Sequence, residues 1–132
     1  MKRLFLLCSF LIVFSLTSSG LEAREQNREQ LLEDLIFTSF FPQIDRAMVA
    51  HYRESKQYWC PRIVHLKKQT RGSYLFEVTI EVETFEGPHN PPYDLVTITL
   101  RNDDSATWRV AHFSSKRLTA DEHRLRPCRA PL

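Results

Sequence analysis

The segment "YLFEVTIEVETFE", Tyr74 to Glu86, constrains the fold more than any other part of this chain. Tyr74, Phe76, Val78, Ile80 and Val82 alternate with Leu75, Glu77, Thr79, Glu81 and Glu83. A period of two belongs to a β-strand with one face buried and the other in water. An antiparallel sheet covered on one side by helices meets that demand. The alternation also accounts for Glu77, Glu81, Glu83 and Glu86 as the solvated side of a strand rather than a catalytic pair of carboxylates.

Three more segments carry strand signals. "YWCPRIVHLKK" precedes this run, with Pro61 marking an edge position or a late strand start. "TRG" then turns the chain. "YDLVTITLR" follows and places Val96, Ile98 and Leu100 on one face. After the turn "NDDSA", "TWRVAHFSS" reads as a last strand with Trp108, Val110 and His112 opposite Arg109, Ala111 and Phe113.

Upstream the period changes to that of a helix. Leu31 and Leu35, and Leu32, Ile36 and Phe40, recur at spacings of three and four. Asn27 followed by Gln30 fits a capping box. Pro42 disfavours helical geometry at the residue before it, which predicts a first helix over 27–40 and a second over 42–54. Ile44, Ala47, Met48, His51 and Tyr52 share one face of the second. The predicted class is α+β, with two N-terminal helices packed on a four-stranded antiparallel meander. That order is similar to cystatin-like or nuclear-transport-factor-like rolls.

The chain opens "MKRLFLLCSFLIVFSLTSSGLEA", a positive start, an apolar run from Leu4 to Leu16 and small residues at Ser18, Gly20 and Ala23. This is the pattern of an export signal over 1–23, leaving one α+β domain over 24–132. The apolar run is shorter than the roughly 20 residues a membrane-spanning helix needs. An uncleaved N-terminal anchor is the competing reading and the only membrane link expected. From Arg24 the chain holds 16 basic residues (18 less Lys2 and Arg3) and 15 acidic ones (16 less Glu22). Such balance argues against nucleic acid as a partner, because non-specific affinity for it comes from excess Lys and Arg.

Two cysteines remain beyond the leader, Cys60 and Cys128. In an oxidising compartment such a pair predicts a disulfide. Closing so long a loop would stabilise the fold by about 4 kcal/mol on the chain-entropy view. The alternatives are two free thiols, or a nucleophile paired with a histidine.

The five histidines, at 51, 65, 89, 112 and 123, show no metal-site spacing. His51 reads as a partly buried core residue, and His112 is expected on the strand face that looks toward the helices. Either could serve an enzyme, a small hydrolase or isomerase, in a pocket between sheet and helices. No catalytic constellation, cofactor motif or metal site is otherwise indicated. The terminal "KRLTADEHRLRPCRAPL" reads as a basic tail held by Cys128. Its Lys116, Arg117, Arg124, Arg126 and Arg129 fit a solvated surface better than a site for anionic wall polymer or lipid.

Between the two clearest strands lies "EGPHNPPY". Pro88, Pro91 and Pro92 fix φ, Asn90 is restricted by the proline after it, and Gly87 can take positive φ. A stiff loop holds His89, Asn90 and Tyr93 ready for an envelope protein or a small ligand at low entropic cost. It equally suits a structural role at the end of the sheet.

"TFEGPHNPPYDLVTITL", with "DLIFTSFFPQIDRAMVAHY" before it and "CRAP" at the end, resembles the proteins grouped as domain of unknown function 3888. The resemblance covers most of the chain after the leader and is most specific over Gly87–Tyr93. It implies export from a Gram-positive bacterium and brings no activity with it. The family pattern ends Cys-Arg-Lys-Pro, and Ala130 here departs from it.

Overall fold

The computed structural model describes residues 2–128, with side chains from Arg24 onward. The leader expected over 1–23 therefore lies wholly outside the described side chains, and Arg129, Ala130 and Pro131 of the terminal motif lie outside the described residues. The elements run α1 (Lys2–Tyr52), β1 (Gln57–Lys68), β2 (Phe76–Phe85), β3 (Asp94–Asn102), β4 (Trp108–Arg117) and α2 (Ala120–Leu125). The four strands form one antiparallel sheet in the order β1-β2-β3-β4, the meander expected from the sequence. Among the described residues no helix is long and apolar enough to cross a membrane.

Where two helices were expected, there is one. No break occurs at Pro42, and Asn27 lies inside the helix rather than at its cap. An interior proline costs about 3 kcal/mol through a lost hydrogen bond and a steric clash. The stripe Phe37, Phe40, Ile44, Ala47 and Met48 is buried on both sides of that proline, and its burial offsets the cost. Nearby polar groups help. Arg46 Nε donates to the Pro42 carbonyl at 3.1 Å, and the Gln43 amide, nitrogen turned to the preceding turn, donates to Ser39 and Phe40 carbonyls at 3.2 Å.

The chain divides into two compact units, one ending at Ile36 and one beginning at Phe37. In the first, Leu31, Leu32 and Leu35 lie at the surface. In the second, the helix stripe packs against Val78, Ile80, Val82, Val96, Ile98 and Leu100, each 3 % exposed or less. Trp108 meets Phe40 edge-on, with centroids 4.7 Å apart.

At the end of α1 the buried Asp94 carboxylate gathers three elements. It accepts from Arg117 Nε at 2.5 Å and from the Tyr52 hydroxyl at 3.0 Å, while its own backbone N–H donates to Thr84 Oγ1 at 3.1 Å. Burial, together with the negative charge of Asp94, raises the pKa of the Tyr52 phenol.

Two departures from the expected alternation have local causes. β2 begins at Phe76, and Tyr74 is 85 % exposed. Asn102 brackets the strand start, accepting from the Phe76 N–H and donating to the Tyr74 carbonyl. In β4, Ala111 is an extra residue between the pairs Leu100–Val110 and Thr99–His112. This bulge reverses the alternation. Phe113 joins Val110 and Trp108 toward the helix, and His112 turns to the opposite, exposed face. β1 is an edge strand, with bulges at Cys60–Pro61 and at Val64.

Ile98→Ala, at a site with no exposure, is expected to cost about 2–5 kcal/mol in urea-induced unfolding.

Candidate functional site

The sheet face away from α1 is not the solvated surface the glutamates suggested. Strand register places Trp59, Glu83 and Leu95 in one row across it, and Arg62, Glu81 and Thr97 in the next. Over these rows folds the tail. Thr119 and Glu122 form a reciprocal capping box that starts α2, with the Thr119 hydroxyl accepting from Glu122 N–H and the Glu122 carboxylate from Thr119 N–H. The segment read as a solvated basic tail thus contains a short helix, and His123 and Arg126 lie over β2.

Glu83 is 3 % exposed. A lone carboxylate there would be strongly unfavourable. Trp59 Nε1 donates to its Oε1 at 3.2 Å, His123 Nδ1 bonds the same oxygen, and Arg126 Nε stands 3.7 Å from Oε2. The adjacent Glu81 accepts from Arg62 Nη2 at 3.2 Å and Arg126 Nη2 at 2.9 Å. Both glutamates are therefore internal anchors for the tail.

Cys60 and Cys128 complete that attachment as a disulfide, with Cα atoms 5.1 Å apart and a sequence separation of 68. Cys60 sits in the first bulge of β1 with a φ of 51°. Pro61 falls in the same bulge, where a missing N–H removes no regular ladder bond.

The 86–93 loop closes the same corner. Glu86 and Asn90 exchange two backbone hydrogen bonds of 2.8 Å, so the Asn90 main chain fixes the loop. Gly87 and His89 both have positive φ, 48° and 63°, and the Pro91–Pro92 bond is cis. His89 is an uncommon residue for that geometry. Its ring stacks on Phe85 at 4.1 Å and lies 4.6 Å from Trp59. Tyr93 donates to the His89 carbonyl at 2.6 Å and stacks almost parallel on His123 at 3.8 Å. His89 and Tyr93, singled out in the sequence, are thus brought together with Trp59 and His123, which were not. The Asn90 side chain stays exposed.

Beside these rings is a cavity of about 190 Å³ lined by Trp59, Arg62, Glu83, His123, Arg124, Arg126, Pro127 and the disulfide. His51 and His112 stand elsewhere. His51 is exposed rather than partly buried, against the rings of Tyr52 and Phe113. It borders a shallow groove with Arg46, Ala47, Ala50, Val110 and Phe113. No group of three or more His, Cys, Asp or Glu able to hold a metal occurs among the described residues. Trp59 and His123 had signals of a kind. Trp59 neighbours a bulged cysteine, and Thr119-x-x-Glu122 announces the helix that carries His123.

Two outcomes test this anchoring. His123→Ala is expected to cost about 1–3 kcal/mol, because it takes a hydrogen-bond partner from the buried Glu83 carboxylate while Arg126 stays close. Adding Glu83→Gln should recover part of that loss in urea unfolding, since a neutral amide needs no cation. The second concerns pH. The Lys116 ammonium, then the Thr119 N–H and hydroxyl, hold the Glu122 carboxyl at about 2, below its ordinary 4.5. A depressed folded-state pKa contributes stability above the unfolded value and loses it as pH falls. Backbone amide shifts of α2 should therefore report loosening between pH 4.5 and about 2, and Glu122→Gln should remove that dependence.

Among known proteins, no curated protein and no solved structure matches the chain. Residues 32–116 match the family described as "Protein of unknown function (DUF3888)". The matched segment takes in the buried stripe of α1, nearly the whole sheet and the entire 86–93 loop, and it stops before α2. Since it spans more than half of the 132 residues, the chain belongs to the DUF3888 family of proteins of unknown function.

Proposed function

We propose that this chain is a non-enzymatic exported domain of the cell envelope that binds an envelope protein or a small ligand. Its site is the corner shared by the 86–93 loop, Trp59 and the disulfide-bound tail. The observation that carries this reading is the convergence of two stiff segments, loop and tail, on one cluster of rings, in which His89 and Tyr93 pack on Trp59 and His123, the two that line the cavity. Rings already stacked on one another lose little freedom when a ligand arrives. The Cys60–Cys128 bond is compatible with an oxidising, extracytoplasmic setting. A helix over a four-stranded meander supports the roll architectures, cystatin-like or nuclear-transport-factor-like, as the fold type.

The Glu83–His123 pair favours a second reading, a small hydrolase or isomerase with His123 as general base. His123 replaces His51 and His112 as the candidate, because it alone of the three meets a carboxylate beside the cavity. Against it, the described lining includes no Ser or Thr, and its two cysteines are bonded to each other.

Trp108→Phe leaves Trp59 as the only tryptophan of two, a fluorescent reporter inside the corner. Titrating this variant with solubilised wall and membrane extract should change Trp59 emission saturably. His89→Ala, Asn90→Ala and Tyr93→Ala introduced into it should each weaken the response. Unchanged binding in all three, with folding verified by near-ultraviolet circular dichroism, would exclude the loop from the site.

A further inference from the structure

We infer that the tail cavity binds a small organic anion, a carboxylate or phosphate carried on a body about the size of one sugar ring. This rests on the reading of the corner as a binding site and adds the chemistry of what it takes.

Exposure sorts the charges of the cavity wall. Side-chain exposure is 45 % for Arg62, 77 % for Arg124 and 26 % for Arg126. For Glu83 it is 4 % and for Glu81 18 %. The acids are consumed from behind, Glu83 by Trp59, His123 and Arg126, and Glu81 by Arg62 and Arg126. Asp121 holds one edge of Arg124. A guanidinium carries five donors and each pairing uses one or two of them, so donors remain to face the opening. The accessible wall is therefore cationic although the network behind it is near neutral. Guanidinium groups match carboxylate and phosphate oxygens in geometry as well as charge.

Size and apolar lining narrow the ligand further. At roughly 30 Å³ per water, the 190 Å³ cavity holds about six water molecules' worth of liquid. That suits a single ring bearing an acid group. The Trp59 indole and Pro127 offer an apolar wall for the ring. Arg124 and Arg126, which the sequence placed on a solvated tail, owe their position here to the α2 cap and the disulfide.

The test uses the Trp108→Phe protein titrated with glucuronate, glucose 6-phosphate, inorganic phosphate and glucose. Either acidic sugar is expected to change Trp59 emission saturably, with affinity that falls as salt rises, while glucose gives no response. Binding of the phosphate ester and not the uronate assigns a phosphate ligand, and the reverse assigns a carboxylate. Saturation by inorganic phosphate as well shows that the oxyanion alone suffices. Arg62→Gln and Arg124→Gln should each weaken binding by about tenfold, the scale of one charge-assisted contact. Unchanged affinity in both correctly folded variants would overturn the inference, as would a response to glucose equal to that of the acids. If envelope extract shifts Trp59 and neither acid does, the anion is wrong and the corner remains the site. If nothing shifts Trp59, both fall together.

Discussion

A carboxylate on the wrong side of a sheet governs this structure. Glu83 belongs to a strand whose other face forms the main core, so its own face should meet water. Instead it is buried, and burial of that charge obliges the chain to supply donors. They come from β1, through Trp59, and from the far terminus, through His123 and Arg126. The tail is thereby recruited as a partial second layer. The disulfide makes the arrangement permanent by joining the bulge of β1 to the segment after α2. With one partner removed, the remaining buried charge would be left poorly compensated.

The loop depends on the same corner from the opposite side. Its closure by two Glu86–Asn90 backbone bonds would hold in isolation only weakly, and the positive φ at His89 opposes it. Stacking of His89 on Phe85 and of Tyr93 on His123 offsets that opposition. The two roles weighed for this loop are therefore not exclusive. His89 and Tyr93 use their rings to brace the corner, packing on Trp59 and His123, which line the cavity. Asn90, whose main chain does the closing, leaves its exposed side chain as the cleanest probe of recognition.

What the sequence made legible follows physical range. β2 and β3 lie in the middle of the sheet, and the alternation they share is legible because their register with each other is continuous from Glu77–Arg101 to Glu83–Leu95. The edge strands are bulged, and there alternation misleads. The apolar residues Trp108, Val110 and Phe113 are spaced two and then three apart, which is the mark the Ala111 bulge leaves in the sequence. Pro42 was legible as a penalty but not as one that a continuous buried stripe could offset. Thr119-x-x-Glu122 was a local signal for α2 hidden inside a polar tail. The burial of Glu83 had no local signal. A period-two pattern states that a side chain faces away from the core, and it cannot state whether water or a distant Arg126 meets it there.

The same difference of range bears on charge. A count from Arg24 onward is nearly neutral, and from it nucleic acid was set aside as a partner. That inference concerns long polymers, which sample many charges at once. A single anion does not, because mobile ions screen exposed charges beyond about 8 Å at physiological salt. What it meets is the wall in front of it, where the Arg62 and Arg124 guanidinium groups are open, that of Arg126 is partly so, and both nearby glutamates are largely buried and satisfied. Burial has separated charges that the sequence mixes. A neutral chain can therefore present a cationic cavity, and in this fold the element that creates it is the tail that Glu83 holds down.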